Sequence, residues 1–269
     1  MKKNKSLIYT GANHTFVICA YKESPYIEAC IDSLFNQTIK SNIIMVSSTP
    51  CEYISNIAVK YDIPLFINEG EGGIANDWNF GYSKAKTPLI TIAHQDDVYN
   101  KKYLEKVLFS LNNAKKPLIA FTNYGELRDE IILTKSKLLT VKRLLLLPMN
   151  IKAFHKSRFI RRRCLSLGSC ICCPSVTFVK DSLPDTVFEA GLKSNLDWQA
   201  WERLSRLDGS FVYCNDILML HRIHEDSETS HLIADNKRSD EDYAMFCCFW
   251  PKPVAKLLTK IYSAGEKYN

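Results

Sequence analysis

The sequence contains no run of about 18 consecutive apolar residues, the length a membrane-spanning helix needs, so we expect no transmembrane segment. It also lacks internal repeats and low-complexity stretches, which argues against solenoid and disordered classes. The lysine-bearing N-terminus is not followed by an uninterrupted apolar core and a small-residue cleavage site, so we expect no signal peptide. These absences predict a globular, cytoplasmic protein.

A disulfide framework is also missing, although the chain has ten cysteines. The cysteines are scattered, and several fall within apolar strand or helix patterns, as free thiols do in a reducing compartment. Cys170 and Cys173 have a Cys-x-x-Cys spacing, but no second pair lies at the distance of a zinc ribbon. We therefore expect packed thiols and no zinc site.

Acidic residues are absent between Glu130 and Asp181, whereas lysines and arginines interleaved with leucines are frequent there, especially over 135–163. The whole chain carries a net charge of +6. A basic stretch with apolar residues predicts contact with an anionic membrane or a polyphosphate-bearing partner. The alternative is a surface helix pair that packs its leucines on the main domain. No nucleic-acid-binding module is recognisable, so nucleic acid is not an expected partner.

Strand and helix patterns alternate through the first half of the chain. The helix starts include Ser24 as N-cap with Pro25 following, and a capping box over 49–52. Repeated β-α-β units predict an α/β fold with a mainly parallel sheet flanked by helices. The predicted strands are 15–20, 43–46, 64–67, 89–93 and 118–122, and the predicted helices are 25–35, 50–61, 75–85 and 101–111.

The second half is less regular, with a basic helical elaboration over 135–163. We predict strands over 175–179, 211–214 and 217–220, a helix over 194–207, and a helical tail from 235 to 262 broken at Pro251 and Pro253. The length of 269 residues suits one large domain with an appendage.

Two adjacent carboxylates, Asp96 and Asp97, directly follow the apolar strand 89–93. Ligands bind at the carboxyl ends of strands in open α/β sheets, so this pair is a candidate site for Mg²⁺ or Mn²⁺. The alternative is a solvated turn in which an Asp caps the next helix.

Several segments together resemble family 2 glycosyltransferases, in an order along the chain that is more specific than any single motif. The resemblance spans about residues 14–225. The segments are Phe16–Ser24, Cys30–Thr38, Gly72–Ala75, Asn79–Tyr82, the Asp96-Asp97 pair, Asp197-Trp198 and Arg222-Ile223-His224. Three places depart from the family pattern: Lys22 replaces an Asn, His94 replaces the first Asp of the acidic motif, and Ser47-Ser48-Thr49 stand where the family often has an Asp that reads the base.

This resemblance implies a GT-A fold, with a glycosyltransferase domain over 1–235 and a C-terminal helical tail over 236–269. The nucleotide-sugar half would be about 14–125 and the acceptor half about 126–235. The residues expected to bind the nucleotide-sugar are Ala20, Tyr21, Glu23, Ser47, Ser48, Gly73, Asn79, His94, Asp96 and Arg222. The residues expected to hold the metal are Asp96, Asp97 and His224.

The resemblance also implies that Asp197 is the general base for the acceptor hydroxyl, with Glu189 in reserve. The alternative for Asp197 is a Ser-x-x-Asp capping arrangement over 194–197. The implied activity is inverting transfer of a hexosyl or deoxyhexosyl group from a nucleotide diphosphate-sugar to a saccharide or lipid-linked saccharide acceptor. Bacterial surface polysaccharide or glycolipid assembly at the inner face of the plasma membrane would fit that activity.

Two other classes remain open from the sequence. A non-catalytic nucleotide-sugar-binding protein could use the same fold without needing the carboxylates. A sugar-nucleotide nucleotidyltransferase could share the sheet, but its Gly-rich, Arg-bearing loop is absent after the first strand. The presence of Asp96, Asp97 and Asp197 favours the transferase.

Overall fold

The first half of the chain forms the predicted β-α-β units. The computed structural model describes residues 8–224 and 238–266. Four strands pair in parallel in the order β3-β2-β1-β4, and they are β1 (His14–Cys19), β2 (Asn42–Ser47), β3 (Leu65–Ile67) and β4 (Leu89–His94). The connecting helices are α1 (Ile27–Phe35), α2 (Glu52–Lys60) and α3 (Ile74–Lys84).

The sheet has nine strands within the described residues. Eight of them follow the order β3-β2-β1-β4-β8-β6-β9-β5, and β7 pairs with β6 outside this order. Parallel pairing returns between β6 and β9, whereas β8 is antiparallel to both of its neighbours. The added strands are β5 (Val98–Tyr99), β6 (Pro117–Arg128), β7 (Ile131–Leu133), β8 (Val176–Val179) and β9 (Ser210–Ile223). The result is the mixed, mainly parallel α/β sheet that the sequence predicts.

Both faces of the central strands are buried, which explains their continuous apolar runs. Alternate residues of β1 point into different cores: Phe16 and Ile18 into one, Val17 into the other. The first core is covered by α1, α2 and α4 (Tyr103–Asn112). The second is covered by α3, by α7 (Leu196–Leu204) and by the C-terminal helices. The sheet is therefore a rigid support for the loops at its edge.

The strands predicted at 211–214 and 217–220 are one strand, β9. Its register against β6 skips Asn215 and Asp216, which bulge outward where Thr122 pairs with Cys214 and Asn123 with Ile217. The Asn123 carboxamide donates to the backbone carbonyl of Asn215 over 3.1 Å and so fixes the bulge. Two exposed polar residues interrupt the alternation of the strand, which is why the sequence pattern looked like two strands.

Three predicted helix starts are wrong. The N-cap of α1 is Tyr26, two residues beyond Ser24, and that of α2 is Cys51, with no side-chain cap at either. Thr49 does not form the predicted capping box but accepts a hydrogen bond from the backbone of Lys22. Likewise α7 begins at Leu196, and its N-cap, Asn195, makes no side-chain cap. For Thr49 and Ser194 a long-range partner takes the hydroxyl that a local motif would have used, whereas the Ser24 hydroxyl accepts from the backbone N–H of Tyr26.

The basic segment is helical, with α5 (Lys137–Leu145) and α6 (Arg158–Leu165) joined by two 3-10 turns. Part of its charge is structural: Arg161 is buried and donates to the backbone carbonyls of Ser205, Leu207 and Gly209. Guanidinium burial of this kind is stabilised because its donors are paired. Because Arg161 is buried, the net charge of the segment is larger than the positive charge that it exposes to solvent.

Two C-terminal helices, α8 (Arg238–Cys247) and α9 (Lys252–Glu266), pack against α7 through Trp198, whose ring lies 5.2 Å from that of Phe246. The predicted break at Pro251 is present, but Pro253 lies inside the first turn of α9 and breaks nothing, as proline is tolerated there. The predicted start of the tail at 235 and the domain boundary at 235/236 lie outside the described residues, so that division stays a prediction. Among the described helices, none is long and apolar enough to cross a bilayer.

Candidate functional site

The Asp96-Asp97 pair lies in the turn between β4 and β5, at the carboxyl end of β4. The two-residue strand β5 pairs antiparallel with β9, with Val98 opposite Leu220. This pairing brings the turn against the segment 221–224 at the end of β9. Residues more than 120 positions apart in sequence thus form one site, as the resemblance implied.

Three side chains of this turn form a candidate metal site. His94, Asp96 and Asp97 present ligand atoms that all lie within 4.8 Å of one another. Asp97 is fully buried, its Oδ2 has no hydrogen-bond partner, and the same atom lies 3.8 Å from Nδ1 of His94. A buried carboxylate oxygen without a donor is costly unless a cation satisfies it, so the donor set fits a divalent ion. His94, expected on the nucleotide side, belongs to this cluster.

The second oxygen of Asp97 is fixed by the end of β9. Oδ1 accepts a hydrogen bond from the backbone N–H of Arg222 over 2.9 Å and faces Nδ1 of His221 at 2.9 Å. Burial opposes the charged imidazole, but the charge and hydrogen bond of Asp97, with a further contribution from Asp96, raise the pKa of His221 to about 9. His221 is therefore protonated at neutral pH and orients Asp97. Such outer partners hold metal ligands in place.

Arg222 and His224 surround Asp96. The Nε of Arg222 donates to the backbone carbonyl of Asp96 over 3.0 Å, and Nε2 of His224 lies 3.2 Å from Asp96 Oδ2. The Arg222 guanidinium is ion-paired with Glu130 and lies over the Tyr26 ring, 4.3 Å from its centroid. The predicted metal ligand His224 therefore contacts the acidic pair and is not among the three clustered ligands. Neither Tyr26 nor Glu130 was predicted, because neither lies within a local motif.

His94 is held by an aromatic stack. The Trp78 indole lies parallel to its imidazole, with ring centroids 5.0 Å apart and a 17° interplanar angle, and Phe188 packs edge-on against Trp78. Burial lowers the pKa of His94 to about 4, although Asp96 opposes this shift. The imidazole is thus neutral at physiological pH, the form that binds metals.

The loops after β1 and β2 converge beside this turn. The backbone N–H of Tyr21 donates to the side chain of Gln95 over 3.0 Å, and Gln95 donates back to the Tyr21 carbonyl over 2.9 Å. The Ser48 hydroxyl donates to Asp77 over 2.6 Å, so an acidic residue on α3 occupies this edge as well. Asp77 was not predicted, since nothing in its local pattern separates it from a surface helix residue.

The remaining predicted nucleotide residues lie at the same edge or support it. Ala20 follows β1, Glu23 is exposed on the next loop, and Ser47 ends β2. Gly73 is the N-cap of α3 at φ 118°, a conformation that favours glycine, and a Cβ there would meet no atom within 4 Å. Asn79 bonds the backbone of 187–188, where its Oδ1 accepts from Phe188 over 3.0 Å. Its nucleotide role stays a prediction.

Asp197 lies in the first turn of α7. Its Oδ1 accepts from the backbone N–H of Trp198 over 2.6 Å, and the Ser169 hydroxyl lies 3.4 Å from Oδ2. Burial, and then the charges of Asp97, Asp197 and Asp96, raise the pKa of Cys172, although Lys142 opposes them. Asp197 and the acidic pair are therefore both close enough to Cys172 to influence its ionisation. The reserve base, Glu189, is ion-paired with Arg203 over 2.9 Å.

Glu241 on α8 caps α7 from outside the helix. Its carboxylate accepts hydrogen bonds from the backbone N–H groups of Lys193, Ser194 and Asn195 at 2.7, 2.8 and 3.1 Å. Burial opposes ionisation, but these hydrogen bonds outweigh it and lower the pKa of Glu241. The C-terminal helices thus position the turn that carries Asp197, a contact that no pattern around Glu241 signals.

Comparison with known proteins places this arrangement in a family. The family model described as glycosyl transferase family 2 matches residues 15–183, more than half of the chain. No curated protein matches the sequence.

Three solved structures share the fold. S. aureus TarS 1-349 in complex with UDP-GlcNAc has a TM-score of 0.62 and 13% identity, over 92% of this chain and 70% of that one. A Pyrobaculum calidifontis mannosyltransferase with GDP-Man and Mn²⁺ has a TM-score of 0.57 and 12% identity, over 95% of this chain and 70% of that one. Glucosyl-3-phosphoglycerate synthase from Mycobacterium tuberculosis, with Mn²⁺, UDP and phosphoglyceric acid, has a TM-score of 0.60 and 13% identity, over 90% of this chain and 80% of that one.

At these identities the structural likeness shows a common fold, and the family match covers β1 to β5 and the acidic turn but ends before Asp197 and β9. Both agree with the order of motifs in the sequence. The chain belongs to glycosyl transferase family 2 and has the GT-A fold, as its motifs predict.

Proposed function

We propose that this protein transfers a hexosyl or deoxyhexosyl group, with inversion, from a nucleoside diphosphate-sugar to an acceptor hydroxyl. The clustering of His94, Asp96 and Asp97 beside the loops after β1 and β2 carries the proposal. A neighbour with the same fold is recorded with GDP-Man and Mn²⁺. The donor's base and ribose would lie along Ala20, Tyr21 and Ser48, and its diphosphate at the acidic turn.

Asp96 and Asp97, with His94, would hold Mg²⁺ or Mn²⁺. When bound, the ion supplies a Lewis acid that neutralises charge on the departing diphosphate. Arg222 and His224 lie beside Asp96 and would add positive charge or hydrogen-bond donors there. Because Arg222 is paired with Glu130, donor phosphate oxygens would compete with that carboxylate for the guanidinium.

Asp197 would act as the general base. It takes the proton of the acceptor hydroxyl while the hydroxyl oxygen forms a bond to the anomeric carbon. The bond from that carbon to the phosphate oxygen breaks, and the nucleoside diphosphate leaves with the electron pair. Attack on the face opposite the leaving group inverts the configuration, as in inverting glycoside chemistry. The hydrogen bond from Trp198 to Asp197 fixes the carboxylate for this role.

A lipid-linked acceptor in bacterial surface polysaccharide or glycolipid assembly would suit the outer face of α5. Val141 and Leu144 on α5, and Leu147 and Ile151 in the turns that follow it, each have more than half of their surface exposed. Lys137, Lys152 and Lys156 are exposed in the same segment, and the whole range 131–180 lacks acidic residues. Apolar side chains flanked by lysines favour peripheral contact with an anionic bilayer.

Donor binding and turnover can be tested separately. Melting temperature is measured with UDP and with GDP, each with and without Mn²⁺, and hydrolysis of the matching nucleotide-sugar is followed in parallel. We expect a Mn²⁺-dependent stabilisation that Asp96→Asn abolishes. Asp197→Asn should keep the stabilisation and lose turnover, and Asp216→Asn, an exposed carboxylate on the β9 bulge, should change neither. Full turnover in both Asp96→Asn and Asp197→Asn would overturn the assignment.

A further inference from the structure

We propose that His94 is a nitrogen ligand that makes the metal site select transition-metal ions over Mg²⁺. The inference rests on the proposed function to the extent that Asp96 and Asp97 must bind a divalent ion. It goes beyond that function, because the identity of the ion would follow from the one residue that departs from the family's acidic motif. The imidazole would replace a carboxylate.

Contacts of its backbone and of its ring fix the position of His94. It is the last residue of β4 and pairs with Cys19 of β1. Its backbone carbonyl accepts from the Cys30 thiol at 3.2 Å and from the backbone of Asp97 at 3.2 Å. The Trp78 stack then sets the plane of the ring. A preorganised ring loses little conformational freedom when it binds an ion.

The hydrogen-bonding state of the three neighbouring histidines separates their roles. His221 and His224 each have a ring nitrogen within hydrogen-bond distance of a carboxylate oxygen, of Asp97 and Asp96 respectively. His94 instead has a buried Nε2 without a hydrogen-bond partner, and its Nδ1 lies 3.8 Å from Asp97 Oδ2. That oxygen also lacks a partner. An ion bound by Nδ1 of His94 and this carboxylate would satisfy the unpartnered Asp97 oxygen, whereas His221 and His224 serve as supports.

Replacing a carboxylate by a neutral imidazole changes the site in two ways. It removes one negative charge, so Asp96 and Asp97 supply two charges where a site with a third carboxylate would have three. It also introduces a nitrogen donor, which Mg²⁺ disfavours because Mg²⁺ prefers oxygen ligands and retains its waters. Among ions that accept nitrogen, affinity rises from Mn²⁺ to Co²⁺. We therefore expect affinity in the order Co²⁺, Mn²⁺, Mg²⁺.

The direct test is spectroscopic and needs no acceptor. Mn²⁺ is bound to the full chain with and without UDP, and electron spin-echo modulation from ligand nitrogen is recorded. We expect modulation in the wild type that changes when histidine is ¹⁵N-labelled. His94→Gln and His94→Asp should lose it, whereas His221→Gln and His224→Gln should retain it. Melting curves without metal confirm that each variant is folded, and His94→Gln adds no third carboxylate to the buried cluster.

Competition between ions gives a second readout. We expect His94→Asp to shift the Mn²⁺-to-Mg²⁺ affinity ratio toward Mg²⁺ by about tenfold, because the donor set becomes all oxygen. If Mn²⁺ binds, is lost in Asp96→Asn, and shows neither His94-dependent modulation nor a shifted ratio, the inference on His94 is wrong while the metal site stands. If the wild type binds neither Mn²⁺ nor Co²⁺, with or without UDP, both this inference and the proposed metal site fail.

Discussion

At the scale of single residues, Asp96 and Asp97 look equivalent in the sequence but have different surroundings. Asp97 is fully buried and has His221 and Arg222 as partners, whereas the side chain of Asp96 is 19% exposed. One is a structural carboxylate that also offers an oxygen to the cluster. The other is open to solvent and to a ligand.

This difference predicts unequal stability effects. Asp97→Asn should lower the free energy of unfolding by about 2 kcal/mol, since the fully buried Asp97 loses the charge that pairs it with the partly exposed, protonated His221. Asp96→Asn should cost less than about 0.5 kcal/mol, as partly exposed sites usually do. Urea unfolding in EDTA, followed by circular dichroism, measures both. Equal losses in the two variants would contradict the distinction drawn between them.

At the scale of elements, α8 completes the N-terminus of α7. The helix starts without a side-chain cap of its own, and Glu241 supplies the acceptor for three backbone N–H groups. A charged acceptor at a helix N-terminus also interacts favourably with the helix dipole. The turn bearing Asp197 thus depends on a helix that lies outside the residues matched by the family model.

Removing this external cap should loosen α7. We expect Glu241→Gln to lower the free energy of unfolding by about 1–2 kcal/mol, the usual range for a lost cap. Amide hydrogen exchange should accelerate at 193–198 more than in β1. Glu69→Gln, at an exposed loop position, serves as the matched control and should change neither quantity. Unchanged exchange at 193–198 would show that Glu241 does not hold the turn.

The sequence predicts elements far better than it predicts the contacts between them. Apolar periodicity identifies β1 to β4 and α1 to α4, because each buries one or two faces that repeat locally. It does not identify β5, whose two residues form a strand only by pairing with β9. The caps predicted at Thr49 and Ser194 are absent for the same reason, since both hydroxyls bond to residues far along the chain, whereas Ser24 bonds to Tyr26 before α1 begins.

The residues of the candidate site also divide into those that a motif in the sequence marks and those that only long-range packing brings into the site. The acidic pair and the segment 222–224 are visible as motifs, and the family order brings them together. The Trp78 stack on His94, the Glu130 partner of Arg222 and the Glu241 cap depend on distant packing, so no local pattern marks them. His94 itself was visible as an anomaly, but only the geometry of Asp97 Oδ2 gives it a place among the metal ligands.

At the scale of the whole molecule, α5 adjoins the C-terminal helix α9. Burial lowers the pKa of Lys142 on α5, but the neighbouring Tyr124 and Tyr262 outweigh it and raise this pKa. Tyr262 of α9 therefore lies close to α5. Leu257 and Ile261 on α9 are about three-fifths exposed, with Lys256 and Lys260 next to them. Two helices from distant parts of the chain thus carry the same mixture of apolar and basic side chains.

This surface predicts salt-sensitive binding to anionic vesicles. We expect the Leu144→Ser/Leu147→Ser double variant to bind vesicles of phosphatidylglycerol and phosphatidylcholine about tenfold more weakly, because about 1 kcal/mol or more of apolar burial is lost. Co-sedimentation measures the partition coefficient. Val59→Ser and Phe109→Ser, at exposed apolar positions outside the basic segment, should bind like the wild type. Equal loss in all variants, or equal binding to neutral vesicles, would exclude this surface.

The pairing of β5 with β9 also orders the assembly of the protein during synthesis. Asp97 and its partners His221 and Arg222 are 124 and 125 residues apart, so nearly the whole domain must leave the ribosome before they meet. Until then the Asp97 carboxylate has no fixed orientation, and contacts of such high sequence separation form late in folding. A nascent chain could therefore hold an ion or a nucleotide-sugar at this site only after β9 has been synthesised.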